Sequence, residues 1–179
     1  MKKTKITIWI SGVTASGKTT LGKELFKNLK KLSHLDFTFL DGEDLRKKLK
    51  KNYGHTLEER FELIKEYIAF INEEHRKGKS VILSTVSHKR KMRKLARNLL
   101  SKNFFEVNLI CSAESCSKRD FKNVYNKVTK NSKECLPGVT EPYEVSSNPE
   151  LIINTEENSI QECNRILLEN VMTYLNLGD

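Results

Sequence analysis

The sequence has 179 residues, the length of one ordinary domain, and we expect a single domain over residues 1–179. Hydrophobic residues make up 37% of it, and no apolar run approaches the roughly 20 residues that span a bilayer, so no membrane partner is expected and the predicted location is cytoplasmic. The net charge of +9 favours an anionic partner, although charge alone does not choose between nucleic acid and a small phosphorylated substrate.

Apolar runs of strand length alternate with helical patterns along the chain, which predicts an α/β domain with a mainly parallel sheet. Strands are predicted at residues 6–10, 37–40, 81–83, 104–111 and 151–154. Helices are predicted from Lys18, from near Thr56, through the basic segment up to Leu100, and over residues 160–177. Residues 114–144 are polar and lysine-rich, and we expect them to form a mobile lid.

Two of the predicted helices carry clear local signals. One apolar face of the first helix carries Leu21, Leu25, Leu29 and Leu32. Thr56 and Glu59 form the T-x-x-E pattern of a capping box at the start of the second helix, which is predicted to end at Gly78. Trp9, on the first strand, is predicted to lie in the core, and His75 is predicted to lie on the surface.

A phosphate-binding loop follows the first strand. Residues 12–19 read Gly-Val-Thr-Ala-Ser-Gly-Lys-Thr and match G-x-x-x-x-G-K-[ST], between a predicted strand and a predicted helix. Glycines let backbone N–H groups converge on phosphate oxygens, and the helix N-terminus adds positive potential. Lys18 supplies a charge to the β- and γ-phosphates, and the Thr19 hydroxyl can bind Mg²⁺. The predicted ATP-binding residues here are Gly12, Thr14, Ala15, Ser16, Gly17, Lys18, Thr19 and Thr20.

The loop alone fits a kinase, a GTPase, an ATPase motor or a passive nucleotide sensor. No N-K-x-D signature of a G protein is visible, and the small size favours a kinase with a lid. A catalytically silent, nucleotide-binding regulatory module is the alternative from another class, and the joint presence of Lys18, Thr19 and Asp41 speaks against it.

Further motifs resemble one family. The segment Asp41-Gly42-Glu43-Asp44-Leu45-Arg46, taken with the loop, resembles the D-G-D-N-x-R pattern of adenylylsulfate (APS) kinases. Matching segments then follow in the family's order: Gly54-His55-Thr56 with Glu59-Arg60, Ser87 with Arg90, residues 119–125, Gly138, Pro142-Tyr143-Glu144 and Asn148-Pro149-Glu150-Leu151.

This resemblance implies a doubly wound, parallel five-stranded sheet with helices on both faces. It also implies transfer of the γ-phosphate of ATP, with Mg²⁺, to the ribose 3′-hydroxyl of a small, anionic, nucleotide-like acceptor. A homodimer is a further expectation from the family.

The resemblance assigns roles to individual residues. Asp41 stands at the carboxyl end of a strand, where open α/β sheets bind ligands, and would accept or orient the attacking hydroxyl. Glu43 would assist through Mg²⁺-bound water, Lys18 would complete the catalytic set, and Arg119 would close over ATP. The predicted acceptor-binding residues are Asp41, Arg46, His55, Arg60, Ser87, Lys122 and Leu136.

Each of these polar residues also has an ordinary structural alternative. Asp41 could be a helix N-cap or a turn residue, and Arg46 and Arg60 could form solvated ion pairs.

The acceptor pocket departs from the family pattern. His55 stands where the family has a phenylalanine that stacks on the acceptor adenine, and Leu136 stands where it has a second one. Leu63 replaces an asparagine, and Asp44 replaces the asparagine of D-G-D-N. Because each lost stack costs about 1–3 kcal/mol, we expect an acceptor other than APS, such as the cytidine diphosphoramidate of capsule phosphoramidate pathways. The alternative is an authentic APS kinase of sulfate assimilation.

The densest basic run is His88 to Lys94. It lacks interleaved aromatic residues and any groove-fitting motif, so it is predicted to be a solvated helix face, with Arg90 the first candidate to contact a phosphate. Nucleic acid is therefore not an expected partner.

Overall fold

The computed structural model describes residues 5–49, 51–100, 103–120, 124–127 and 136–176. Within these residues the strands are β1 (Thr7–Ser11), β2 (Phe37–Asp41), β3 (Ser80–Thr85), β4 (Phe104–Ile110) and β5 (Leu151–Asn154). The helices are α1 (Lys18–Leu32), α2 (Gly42–Lys48), α3 (Leu57–Arg76), α4 (Arg90–Leu100), α5 (Ala113–Lys118), α6 (Val124–Lys127) and α7 (Ile160–Tyr174).

All five strands run parallel in the order β2-β3-β1-β4-β5. Every residue of β1 is buried, so both faces of the sheet are covered. Ile8 and Ile10 pack in a core with α1 and α7, whereas Trp9 points to the opposite face and packs with α2, α3 and α4. The predicted doubly wound α/β sheet is therefore confirmed, and so is the core position of Trp9.

The predicted helix signals are confirmed with one exception. Thr56 caps α3, and its side chain and that of Glu59 form both hydrogen bonds of the capping box. Gly78 ends this segment with a φ of 87°, which favours glycine. Leu32, however, is 55% exposed and does not belong to the apolar face of α1.

Two expectations about burial are wrong, and one helix was missed. The short helix α2 was not predicted at all. His75 is buried rather than on the surface, because it lies at the end of α3 against the sheet, with 3.3 Å between its Nε2 and Thr7 Oγ1. The basic run is not uniformly solvated, since His88 and Arg93 are buried.

No described helix is long and apolar enough to cross a membrane.

Parallel pairing brings the carboxyl ends of the strands to one edge of the sheet. Asp41 of β2 lies beside Ser84 of β3, and Ser84 lies beside Ile10 of β1, one residue before β1 ends. The predicted phosphate loop and the predicted catalytic carboxylate therefore lie at the same edge.

Candidate active site

The loop between β1 and α1 has the backbone of a phosphate cradle. Gly17 has a φ of 94° and Ala15 a φ of 62°, both in the left-handed region. A Cβ added to Gly12 would lie 2.6 Å from Ser16 Oγ and 3.1 Å from the carbonyl oxygen of Leu109, so only glycine fits there. The loop leads directly into the N-terminus of the 15-residue helix α1, which is a site of positive potential.

The side chains of this loop are already organised. Lys18 Nζ donates to the carbonyl oxygen of Val13 at 2.5 Å. The carbonyl oxygen of Thr14 accepts a hydrogen bond of 2.9 Å from the Tyr125 hydroxyl of α6. Ser16 is buried, and its hydroxyl has no hydrogen-bond partner among the described residues, whereas Thr20 is exposed.

Thr19 and Asp41 join the phosphate loop to β2. Thr19 Oγ1 donates to Asp41 Oδ2 at 2.5 Å, although the two residues are 22 positions apart. The other carboxylate oxygen, Oδ1, accepts the backbone N–H groups of Glu43 at 2.9 Å and of Asp44 at 3.4 Å. Asp41 is thus the N-cap of α2, as the structural alternative predicted, and it also faces the loop.

Arg46 and Arg60 converge on the loop between α2 and α3. The guanidinium group of Arg46 donates to the carbonyl oxygens of Tyr53 and Gly54, and Arg60 Nε donates to the carbonyl oxygen of His55 at 3.3 Å. Both guanidinium groups also lie 3.3 Å from His55 Nδ1. The two arginines are thus brought together by backbone carbonyl oxygens and one imidazole nitrogen of the same loop.

The remaining predicted site residues are less closely grouped. Glu43 is exposed and lies 3.5 Å from Lys47 on the next turn of α2. Arg119, at the C-cap of α5, is exposed, and its Nη1 lies 3.8 Å from Cys111 Sγ. Lys122 lies outside the described residues.

Leu136 is 4% exposed and belongs to a turn. Its backbone N–H donates to Thr140 Oγ1 at 2.8 Å, and its carbonyl accepts from Val139 and Thr140. Gly138, in the same turn, approaches Val13 of the phosphate loop so closely that an added Cβ would lie 3.0 Å from Val13 Cγ1. A cavity of about 290 Å³ lies between the loop and this segment, with Tyr143 in its wall.

Ser87 has two unusual features at the carboxyl end of β3. Its φ of 38° lies in the left-handed region, although it is not glycine, and strain of this kind concentrates at functional sites. Its side chain is buried, and its hydroxyl has no hydrogen-bond partner among the described residues.

Arg93 was missed by the sequence reasoning. It is 1% exposed and donates to Glu106 Oε1 at 3.0 Å and to Ser146 Oγ at 3.2 Å. The same guanidinium group donates to the carbonyl oxygens of Ser87 and Glu144. Arg93 therefore ties the strained Ser87 to the segment that follows the turn at residues 136–140.

The sequence also gave no indication that Tyr67 and His88 are buried near the site. The buried Tyr67 hydroxyl donates to the carbonyl oxygen of Gly42, the residue after Asp41, at 2.5 Å, and burial raises the pKa of this phenol. Burial, reinforced by the nearby positive charges of Arg60 and Lys89, lowers the pKa of His88 to about 4. His88 lies within the basic run, but no sequence signal pointed to its burial.

The oxygen atoms at this edge suit a metal that takes few protein ligands. Among the described residues, no group of three or more histidine, cysteine or carboxylate side chains could hold a metal ion by itself. Mg²⁺ in phosphoryl-transfer sites is held instead by one or two protein oxygens, water and substrate phosphates. The hydroxyl of Thr19, in the first turn of α1, is an oxygen ligand of this kind.

Comparison with known proteins identifies the family. The profile described as Adenylylsulphate kinase matches residues 4–154. The adenylyl-sulfate kinase of Clostridium kluyveri is 36% identical over 163 residues, covering 90% of this chain and 81% of that protein. The probable adenylyl-sulfate kinase of Archaeoglobus fulgidus is 36% identical over 151 residues, covering 84% of this chain and 96% of that protein.

The fold is similar to that of the Mycobacterium tuberculosis APS kinase CysC, whose structure was solved in complex with AMPPNP and APS. The TM-score is 0.82 at 24% identity, over 96% of this chain and 98% of that one. Fold, motifs and profile agree, and they confirm the family predicted from the sequence. The chain belongs to the adenylylsulphate kinase family and is an ATP-dependent phosphotransferase that acts on a hydroxyl group.

Proposed function

We propose that this enzyme phosphorylates the ribose 3′-hydroxyl of adenylylsulfate. The observation that carries the proposal is the contact between Thr19 and Asp41, because it brings the phosphate loop and a hydroxyl-orienting carboxylate to one point. The names of the relatives from Clostridium kluyveri and Archaeoglobus fulgidus favour adenylylsulfate over the different nucleotide that the sequence departures predicted.

The phosphate loop would bind the triphosphate of ATP. Backbone N–H groups of residues 12–17 and the N-terminus of α1 offer donors and positive potential. Lys18 would move its ammonium group from the carbonyl oxygen of Val13 to the transferring phosphate, where charge develops. The hydroxyl of Thr19 would hold Mg²⁺, which when bound neutralises phosphate charge.

Asp41 would orient the acceptor hydroxyl. Its Oδ1 is fixed by two backbone N–H groups of α2, so the carboxylate cannot rotate freely and Oδ2 is directed toward the phosphate loop. A ribose hydroxyl that replaces Thr19 as the donor to Oδ2 would be aligned for in-line transfer and could release its proton there. Glu43, exposed on the first turn of α2, would act through water.

Arg46 and Arg60 would bind the anionic groups of the acceptor. Both are held by the loop at residues 53–55, and both lie close enough to the Tyr67 hydroxyl, as Asp41 does, to affect its pKa. Two guanidinium groups on one ligand can each make charge-assisted hydrogen bonds, which suits a phosphosulfate. Ser87, with its buried hydroxyl, would complete this side of the pocket.

Cytidine diphosphoramidate is the second candidate acceptor. The observation that favours it is that neither family stacking ring is present: Leu136 is buried in a turn and His55 contacts two arginines. Like adenylylsulfate, cytidine diphosphoramidate has a ribose hydroxyl next to a modified phosphate group. Arg46, Arg60 and Asp41 would therefore bind both acceptors equally.

Steady-state kinetics with both acceptors would test the proposal. With ATP and Mg²⁺ in excess, kcat/KM should be higher for adenylylsulfate than for cytidine diphosphoramidate, and mass analysis should show one added phosphate on the ribose. A higher kcat/KM for cytidine diphosphoramidate would reverse the order of the two candidates. If ATP binds normally but is consumed with neither of the two acceptors, a catalytically silent regulatory module is favoured.

Four expectations stay predictions. They are the lid at residues 114–144, part of which lies outside the described residues, the roles of Arg119 and Lys122, the single domain and the homodimer.

A further inference from the structure

One ring nitrogen of His55 contacts both of the guanidinium groups that are proposed to bind the acceptor. Its Nδ1 is 3.3 Å from Arg46 Nη1 and 3.3 Å from Arg60 Nη2. A guanidinium group has no lone pair with which to accept a hydrogen bond. Nδ1 is therefore the acceptor in both contacts, which assigns the ring proton to Nε2.

The backbone of the same loop contacts the same two arginines. Arg46 Nη2 donates to the carbonyl oxygens of Gly54, at 2.8 Å, and Tyr53, and Arg60 Nε donates to that of His55 at 3.3 Å. The loop at residues 53–55 thus directs several hydrogen-bond acceptors at Arg46 and Arg60. All of them are backbone carbonyl oxygens except Nδ1 of the His55 side chain.

The loop at residues 53–55 is itself held by the capping box of α3. Glu59 accepts the backbone N–H groups of Gly54 at 2.8 Å and Thr56 at 3.1 Å, on both sides of His55. These hydrogen bonds, the one from Gly54 first, lower the pKa of the Glu59 carboxyl. Residue 55 is therefore placed by its neighbours, and its exposed side chain can be exchanged without breaking the loop.

We propose that His55 is a positioning residue for anion recognition. Two guanidinium groups repel each other, and a neutral ring with a lone pair between them offsets that repulsion and fixes their separation and orientation. The pair then meets the phosphate and sulfate groups of the acceptor as one preorganised unit. The inference rests on the proposed function only in that the acceptor carries such groups.

The histidine at position 55, where the family pattern has phenylalanine, then has a role other than stacking on the base. A phenylalanine has no acceptor in its ring plane and cannot bridge Arg46 and Arg60. In this chain the position has exchanged a base contact for a contact to the anion-binding groups. Losing His55 should therefore weaken every anionic acceptor, whatever its base.

The test compares two substitutions at His55 with a matched control. His55→Asn keeps an acceptor atom close to Nδ1, whereas His55→Phe restores the family residue and removes the acceptor. His34→Asn is the control, because His34 is an exposed histidine before β2, at the opposite edge of the sheet. Calorimetry gives the affinity of pyrophosphate for enzyme saturated with AMPPNP and Mg²⁺, and kinetics give kcat and KM for adenylylsulfate and ATP.

We expect His55→Phe to weaken pyrophosphate binding about tenfold, which corresponds to about 1.4 kcal/mol. The KM for adenylylsulfate should rise by a similar factor, with the KM for ATP and kcat within about twofold of the wild type. His55→Asn should recover most of the affinity, and His34→Asn should match the wild type.

Two results would overturn the inference: unchanged pyrophosphate affinity in His55→Phe, or loss of affinity in His55→Asn as large as in His55→Phe. A lower KM for adenylylsulfate in His55→Phe at unchanged pyrophosphate affinity would also overturn it, since residue 55 would then act on the base. A wild type that does not phosphorylate adenylylsulfate, with the pyrophosphate series as expected, would refute the proposed function and leave the inference standing.

Discussion

Arg93 and Glu106 form a salt bridge inside the protein, with 3.0 Å between Arg93 Nε and Glu106 Oε1 and side chains only 1% and 5% exposed. Arg97 approaches the other oxygen of Glu106 at 3.2 Å and pairs with Glu150 at 2.7 Å. The pair joins α4 to β4, and through Arg93 it also holds the carbonyl oxygen of Ser87 at the active-site edge. Its loss should therefore affect stability first and the site second.

Glu106→Ala should lower the free energy of unfolding by about 3–5 kcal/mol, because Arg93 would remain buried without its charge partner. Urea denaturation followed by circular dichroism measures this. The matched control is Glu162→Ala, which removes an exposed pair with Arg165 at 2.6 Å and should cost less than about 1 kcal/mol. Equal losses of unfolding free energy in the two variants would show that the buried pair contributes no more to stability than the exposed one.

Lys18→Ala should lower turnover by at least about a hundredfold, because a positive charge is lost where negative charge develops on the transferring phosphate. The control is Lys27→Ala, on the exposed face of the same helix, where the lysine pairs with Glu24. Single-turnover rates at saturating ATP separate the chemical step from binding. Near-normal turnover in a folded Lys18→Ala protein would contradict the role given to the loop.

The sequence predicted the parts of this molecule whose signals are local. The phosphate loop is defined by fixed spacing, and the start of α3 by Thr56 and Glu59, so both could be located without a structure. Helix α2 was missed because Asp41-Gly42 resembles a turn, and a glycine at the first position of a helix gives no propensity signal. The capping role of Asp41 was weighed, but its simultaneous contact with Thr19 depends on strand order.

Partners that are distant in sequence explain the other errors. The buried state of Arg93 requires Glu106, which lies on another element and neutralises a charge that the basic run seemed to expose to water. Likewise, the pattern at residue 55 showed that a stacking ring was missing, but not that Arg46 and Arg60 would converge on the histidine.

The pH dependence of stability should carry a contribution from His88. Burial, with Arg60 and Lys89 nearby, lowers its pKa in the folded state to about 4 from an ordinary value of 6.5, against the smaller opposing effect of Glu141 and Glu144. Between these values the unfolded chain binds the proton more readily than the folded chain does. The contribution is therefore complete above pH 6.5 and is lost as the pH falls toward 4.

His88→Gln should remove this contribution, so the difference in unfolding free energy between wild type and variant should shrink as the pH falls from 7 to 4. Urea denaturation at a series of pH values measures it, and His34→Asn serves as the exposed-histidine control. A difference that stays constant across this range would mean that His88 does not titrate differently in the folded and unfolded states.

Asp41→Asn should separate catalysis from folding and from ATP binding. Asparagine is as good an N-cap as aspartate, so the hydrogen bonds to the start of α2 should persist and the stability should change little. With the amide oxygen on the backbone N–H groups of α2, the NH2 group takes the place of Oδ2 beside Thr19, and it cannot take the proton of an attacking hydroxyl. Transfer should therefore fall by about two or more orders of magnitude while ATP affinity stays within a few-fold. Rapid-quench measurement of the transfer step, beside calorimetric titration of AMPPNP, gives both quantities. A parallel collapse of ATP affinity would identify Asp41 as a ligand of the nucleotide or its metal rather than as the group that orients the acceptor.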